Sequence, residues 1–144
     1  MPSNVNVEGP LTAPQLNLAE VVDEVRAVFL AYEAALLAND VQRLNDFFWD
    51  SPSTVRYGIA EHNYGAADIR AYREQAVPVS PLRRLQRTIV TTCGRDTACV
   101  SSEFSVPASE LIGRQTQTWV RFDTGWKIIA AHVSTIQREL IKQL

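Results

Sequence analysis

No stretch of this 144-residue chain approaches the ~20 consecutive apolar residues that a bilayer-spanning helix needs. Its N-terminus, Met1-Pro2-Ser3-Asn4-Val5, lacks a basic segment followed by an apolar core, so no secretory signal is read and the cytoplasm is the expected compartment. Basic residues never run together among aromatics and the formal net charge is −2, which argues against a nucleic-acid surface. The only histidines are His62 and His132, and neither Cys-x-x-Cys nor His-x-x-x-His occurs. A protein-built zinc site therefore has little material, and neither metal nor cofactor is expected. Gly-x-Ser-x-Gly, the P-loop and Gly-x-Gly-x-x-Gly are absent too, leaving serine-hydrolase and nucleotide-dependent mechanisms without support. Cys93 and Cys99 flank a turn at Gly94-Arg95-Asp96-Thr97, where a cross-strand disulfide is conceivable. In a chain that is not secreted, two reduced small residues are the expected state.

What is present is an ordinary globular composition, 46% hydrophobic and 21% charged, in a length that suits one domain. Residues 1–15, with three prolines, read as a loose arm, residues 16–135 as the domain and 136–144 as a tail. Asn17 followed by Glu20 predicts a capping box opening a helix, along which Val21, Val22, Val25, Val28, Phe29, Tyr32 and Leu36 form an apolar stripe. Asn39-Asp40 breaks it and starts a short second helix. Thr54–Gly58 and Ile59–Tyr64 read as short strands, and a third helix spans about Ala66–Gln75. Two long hairpins follow, Leu85–Cys93 with Ala98–Val106 and Gly113–Phe122 with Trp126–Ser134. Three helices on a curved, mostly antiparallel six-stranded sheet make an α+β domain, and the helices need the sheet's concave side to bury their apolar faces.

The last hairpin turns at Asp123-Thr124-Gly125. Read as a three-residue loop, it sets Phe122 opposite Trp126. One face then carries Phe122, Val120, Trp126 and Ile128 near the turn, with Thr118, Thr116, His132 and Ser134 further along, as if lining a pocket. The other face carries Trp119, Ile129, Ala131 and Val133, an apolar patch through which a homodimer is expected. Gln115 and Gln117 share the face of Trp119, so they lie inside only if the two faces are exchanged.

Candidate chemistry starts with Tyr32, on the buried stripe of the first helix. Its hydroxyl either bonds a backbone carbonyl in the core or reaches a pocket mouth as a proton donor. Arg56 alternates with Val55 and Tyr57, so it is a surface cation or an inward one. Inward, it requires an anion, because an unpaired buried guanidinium costs several kcal/mol, and its planar fork suits a carboxylate. Trp49 and Tyr64 are candidates for the pocket wall. Arg73, four residues after Ile69, is either an exposed helix arginine or a second anion clamp. His132, Ser134 and Gln117 complete the candidate set.

Val25–Tyr32-Glu33, Asn39-Asp40, Phe47-Phe48-Trp49, Thr54-Val55-Arg56, Tyr64-Gly65 and Ile69-Arg70-Ala71-Tyr72-Arg73 together resemble the AtzH/HpxZ group of nuclear transport factor two-like proteins. Arg87–Thr92, Gly113–Arg121 and Gly125–Ser134 extend the likeness, which runs from about Leu16 to Ser134. The resemblance implies a cone-shaped α+β barrel and a role in bacterial nitrogen salvage beside amidase-type hydrolases. AtzH-like members are decarboxylating amidohydrolases converting 1,3-dicarboxyurea to allophanate, and HpxZ-like members are linked to oxalurate breakdown. The tyrosine and arginine of the AtzH motif fall on Tyr32 and Arg56. The expected partner is thus a small anionic ureido substrate, with an accessory association with an amidase as the alternative.

Overall fold

The computed structural model describes residues 9–141 of the chain. Helices α1 (Ala19–Leu37) and α2 (Val41–Asp46) come first, then strands β1 (Val55–Tyr57) and β2 (His62–Tyr64), and helix α3 (Ala66–Gln75). Strands β3 (Arg84–Cys93), β4 (Thr97–Ser105), β5 (Leu111–Phe122) and β6 (Gly125–Gln137) complete the sheet, and a short α4 (Arg138–Ile141) follows. The six strands lie in the order β2-β1-β6-β5-β4-β3, antiparallel except for the β1–β6 pair. The sheet does not close, with β2 and β3 as its edges. Among the described residues no helix is long and apolar enough to cross a membrane.

Helix α1 buries Val21, Val25, Phe29, Tyr32 and Leu36 of the expected stripe, with Val22 and Val28 half-buried against the same core. Its start differs from the capping box. Asn17 takes a left-handed backbone (φ 55°), and its Oδ1 accepts from the Thr92 N–H at 2.9 Å. The asparagine therefore ties the entering chain to β3 instead of capping the helix. The first eight residues of the arm lie outside the described residues, and residues 13–15 form a 3-10 turn before that tie. At α2 the Asp40 side chain does cap, accepting from the Arg43 N–H at 3.2 Å.

The β5–β6 hairpin corrects the expected faces. Phe122 pairs with Gly125 (φ 114°), so the loop is Asp123-Thr124 alone, one residue shorter than read. A bulge between Thr118 and Trp119 then leaves Ile129 unpaired in β6 and reverses its alternation. Trp126 and Ile128 face inward as expected, but so do Trp119, Gln117, Gln115 and Ala131, all buried. Thr116, His132 and Ser134 fall on the opposite, outer face. Of the apolar patch expected there for a homodimer, Trp119 and Ala131 are buried in the core with Phe29 and Leu44, Val133 lines the inner cavity, and Ile129 is the half-buried bulge residue. Burying each such side chain contributes roughly 1.5–3 kcal/mol, which no exposed arrangement would recover. Across the β3–β4 hairpin, Cys93 faces Thr97 and Cys99 faces Thr91, and both thiols are free.

Candidate functional site

Between the helices and the inner sheet face lies a cavity of about 230 Å³. Its wall takes Tyr32 and Leu36 from α1, Arg56 from β1, Tyr72 and Arg73 from α3, and Gln115 and Val133 from the long hairpin. Arg83 and Phe104 close one end, and the β1–β2 loop with the exposed Val77 borders the other. Three arginines, Arg56, Arg73 and Arg83, are at most 8% exposed as residues here. Buried cations need partners, and the three differ in what they have.

Arg83 is held at both prongs. Its Nε and Nη2 donate to Glu33 Oε1 and Oε2, each at 3.1 Å. Gln115 Nε2 donates to the same carboxylate at 3.0 Å and to Ser102 Oγ at 2.9 Å. The guanidinium lies 3.7 Å from the Phe104 ring centroid. That ring occupies the space where Gly113 has no Cβ, so a side chain at this strand position would collide with it.

Arg56 points inward because Val55 and Tyr57 take the other face of β1. One nitrogen, Nη1, donates to Glu61 Oε1 at 2.9 Å and to Asn63 Oδ1 at 3.1 Å, Asn63 being its cross-strand partner. Burial raises the Glu61 pKa, but the hydrogen bond and charge of Arg56 outweigh it and hold this carboxyl below the usual carboxylate range. Gly58 makes the pair possible, since a Cβ there would meet the Glu61 carboxylate and Arg56 Nη1.

Arg73 has neither a carboxylate nor a hydrogen-bond acceptor within reach among the described residues, although it is only 7% exposed. It shares with Arg56 the ring of Tyr72, their Cζ atoms lying 5.3 and 4.4 Å from its centroid. Tyr32 stands beside them, its ring fixed edge-on by Phe47 at 5.6 Å and Phe48 at 6.3 Å. Tyr32 lines the cavity, and its hydroxyl is not among the fully buried polar atoms left without a partner in the described residues. Burial pushes its pKa above the ordinary phenol value, with Arg73, Arg56 and Arg83 offsetting part of the rise. The phenol therefore stays protonated across the neutral range and is a hydrogen-bond donor.

Of the residues singled out in the sequence, Tyr32, Arg56 and Arg73 meet around this cavity. Gln117 is buried on the same sheet face but accepts from Trp119 Nε1 at 3.1 Å and does not line the cavity. Trp49 stacks on Phe122 at 5.5 Å, away from it. Tyr64 and His132 flank Tyr57 on the outer face, where the Tyr57 and Tyr64 hydroxyls lie 3.2 Å apart, and Ser134 is on that face too. Sequence reasoning missed Glu33, Glu61, Tyr72 and Arg83. Glu33 did carry a signal: at four- and eight-residue spacings from Phe29 and Val25, it places a charge on the apolar stripe.

A family model described as AtzH-like matches residues 14–139. A cystatin-like fold protein from Burkholderia xenovorans LB400 is 52% identical, over 85% of this chain and 96% of its own, with a TM-score of 0.82. A protein of unknown function from Pectobacterium atrosepticum SCRI1043 is 44% identical, over 89% of this chain and 100% of its own, with a TM-score of 0.86. At 18% identity and a TM-score of 0.67, a nuclear transport factor two-like protein from Pseudomonas putida KT2440 shares the fold alone, covering 81% of this chain and 87% of its own. No curated protein matches.

Proposed function

The chain belongs to the AtzH-like family, and on that premise we propose that it is a decarboxylating amidohydrolase acting on a small N-carboxylated urea, 1,3-dicarboxyurea to allophanate being the form the family resemblance suggests. Arg73, the arginine left without an acid, holds a substrate carboxylate with Arg56 beside it, and Tyr32 is the proton donor. The carrying observation is a buried, acid-free guanidinium next to a buried phenol in one small cavity. A cation that opens onto a cavity with no acid beside it is a seat for an anion supplied by a ligand.

The chemistry needs little else. As the bond between nitrogen and the leaving carboxyl carbon breaks, its electron pair stays on nitrogen, carbon dioxide departs and nitrogen takes a proton. A urea nitrogen bearing that charge is far more basic than a phenolate, so even a phenol with a raised pKa protonates it. The phenolate left behind faces Arg73 and Arg56, the charges that already offset part of the effect of its burial, and regains its proton from water. General acid catalysis of this kind typically contributes about 10²–10⁴-fold.

Following an N-carboxylated urea by carbon NMR tests the reading, with wild-type protein accelerating its loss over a buffer blank. Tyr32→Phe lowers turnover by about 10²–10⁴-fold while leaving the fold intact. Full turnover by that variant removes Tyr32 from the role. A thermal shift with allophanate or oxalurate but no turnover replaces catalysis by binding.

A further inference from the structure

Around the cavity three guanidiniums face two carboxylates, Glu33 and Glu61, leaving one net positive charge. The two carboxylates are not equivalent. Glu33 is deep, bidentate to Arg83 and further fixed by Gln115. Glu61 sits in the four-residue loop between β1 and β2, with its side chain a quarter exposed, and reaches Arg56 through a single nitrogen. It occupies Arg56 as a ligand's carboxylate would, and Gly58 keeps the space it needs.

We propose that Glu61 is a built-in counter-ion that sets the pocket's capacity at one substrate carboxylate, with Arg73 as the seat for it. This deepens the reading above and rests on it for the consequence that follows. In a urea carrying two N-carboxylates, the first settles on Arg73. The second meets an Arg56 already engaged by Glu61 and finds no full charge to balance it. Ion pairing stabilises a carboxylate against losing carbon dioxide, so the unbalanced one departs and the retained one keeps its partner. The product, with a single carboxylate, matches the charge of the pocket. Glu61 is on this account a specificity-determining residue that never touches the bond that breaks.

Two stable probes of equal length separate one carboxylate from two: glutaramate, a monoanion, and glutarate, the dianion with the spacing of a doubly carboxylated urea. Calorimetric titration of the full chain gives wild type binding glutaramate at least as tightly as glutarate. Glu61→Gln, isosteric and so tolerated beside Gly58, shifts that preference towards glutarate by at least about tenfold, the scale of one charged hydrogen bond. Arg73→Gln weakens both probes by about tenfold or more. On an N-carboxylated urea, Glu61→Gln lowers KM and kcat together, a split that mere damage to the loop does not produce. A wild type that prefers glutarate tenfold, a Glu61→Gln variant with unchanged preference, or a failure of both probes to bind overturns the proposal. Probe binding as expected without turnover of any N-carboxylated urea overturns the functional reading and leaves the one-carboxylate seat standing.

Discussion

The two ends of the cavity put the same residue type under opposite conditions. At one end Arg83 meets Glu33 through two hydrogen bonds, and Gln115 and Ser102 extend the network. At the other, Arg73 is equally buried and has no acid among the described residues. Arg56 stands between these conditions, with one nitrogen engaged by Glu61 and Asn63. The difference teaches how to tell an arginine that maintains structure from one that awaits a ligand. Burial alone does not separate them; the presence of a counter-charge does.

Matched substitutions break this comparison most sharply. Arg83→Met leaves Glu33 buried without its partner and costs about 3–5 kcal/mol, read as a fall in the urea denaturation midpoint. Arg73→Met removes a buried charge that nothing in the described structure balances, so the midpoint holds or rises while carboxylate binding is lost. Equal losses for both variants would erase the distinction. A smaller effect follows from Gly113→Ala, which forces the Phe104 ring off its strand position and loosens the support of Arg83. The expected cost is about 1–3 kcal/mol, measured the same way. The smallest effect is in pH. Because burial raises the Tyr32 pKa above 10.0, its contribution to stability is full below that value and declines as pH climbs past it towards the raised one. Tyr32→Phe should flatten that alkaline decline in thermal unfolding, and an unchanged slope would show that the phenol does not titrate as described.

Much of the fold was legible because local patterns carried it. The stripe on α1 and the bounds of α3 follow from spacing, while alternation set Arg56 opposite Val55 and Tyr57 without saying which of those faces is inside. The faces of the long hairpin did not, because one bulge at Ile129 and a loop one residue shorter than read reverse every residue beyond them. His132 and Ser134 were accordingly expected inside and lie outside, while Gln115 and Gln117 turn inward. The site was half legible. Tyr32, Arg56 and Arg73 stood out as residue types with chemistry. The acid on Arg56 lies only five residues on, whereas the network around Glu33 spans separations of 50 residues to Arg83 and 82 to Gln115, which no local pattern encodes. Nor could composition say which of three arginines would be left without an acid.

A crystal of the chain soaked with glutaramate shows where an anion settles when one is offered. Carboxylate oxygens are expected on Arg73 at about 2.7–2.9 Å, with Glu61 still on Arg56 and the rest of the probe directed at the Tyr32 hydroxyl. A carboxylate bound elsewhere, or an Arg73 side chain swung out into solvent with the cavity empty, would contradict it.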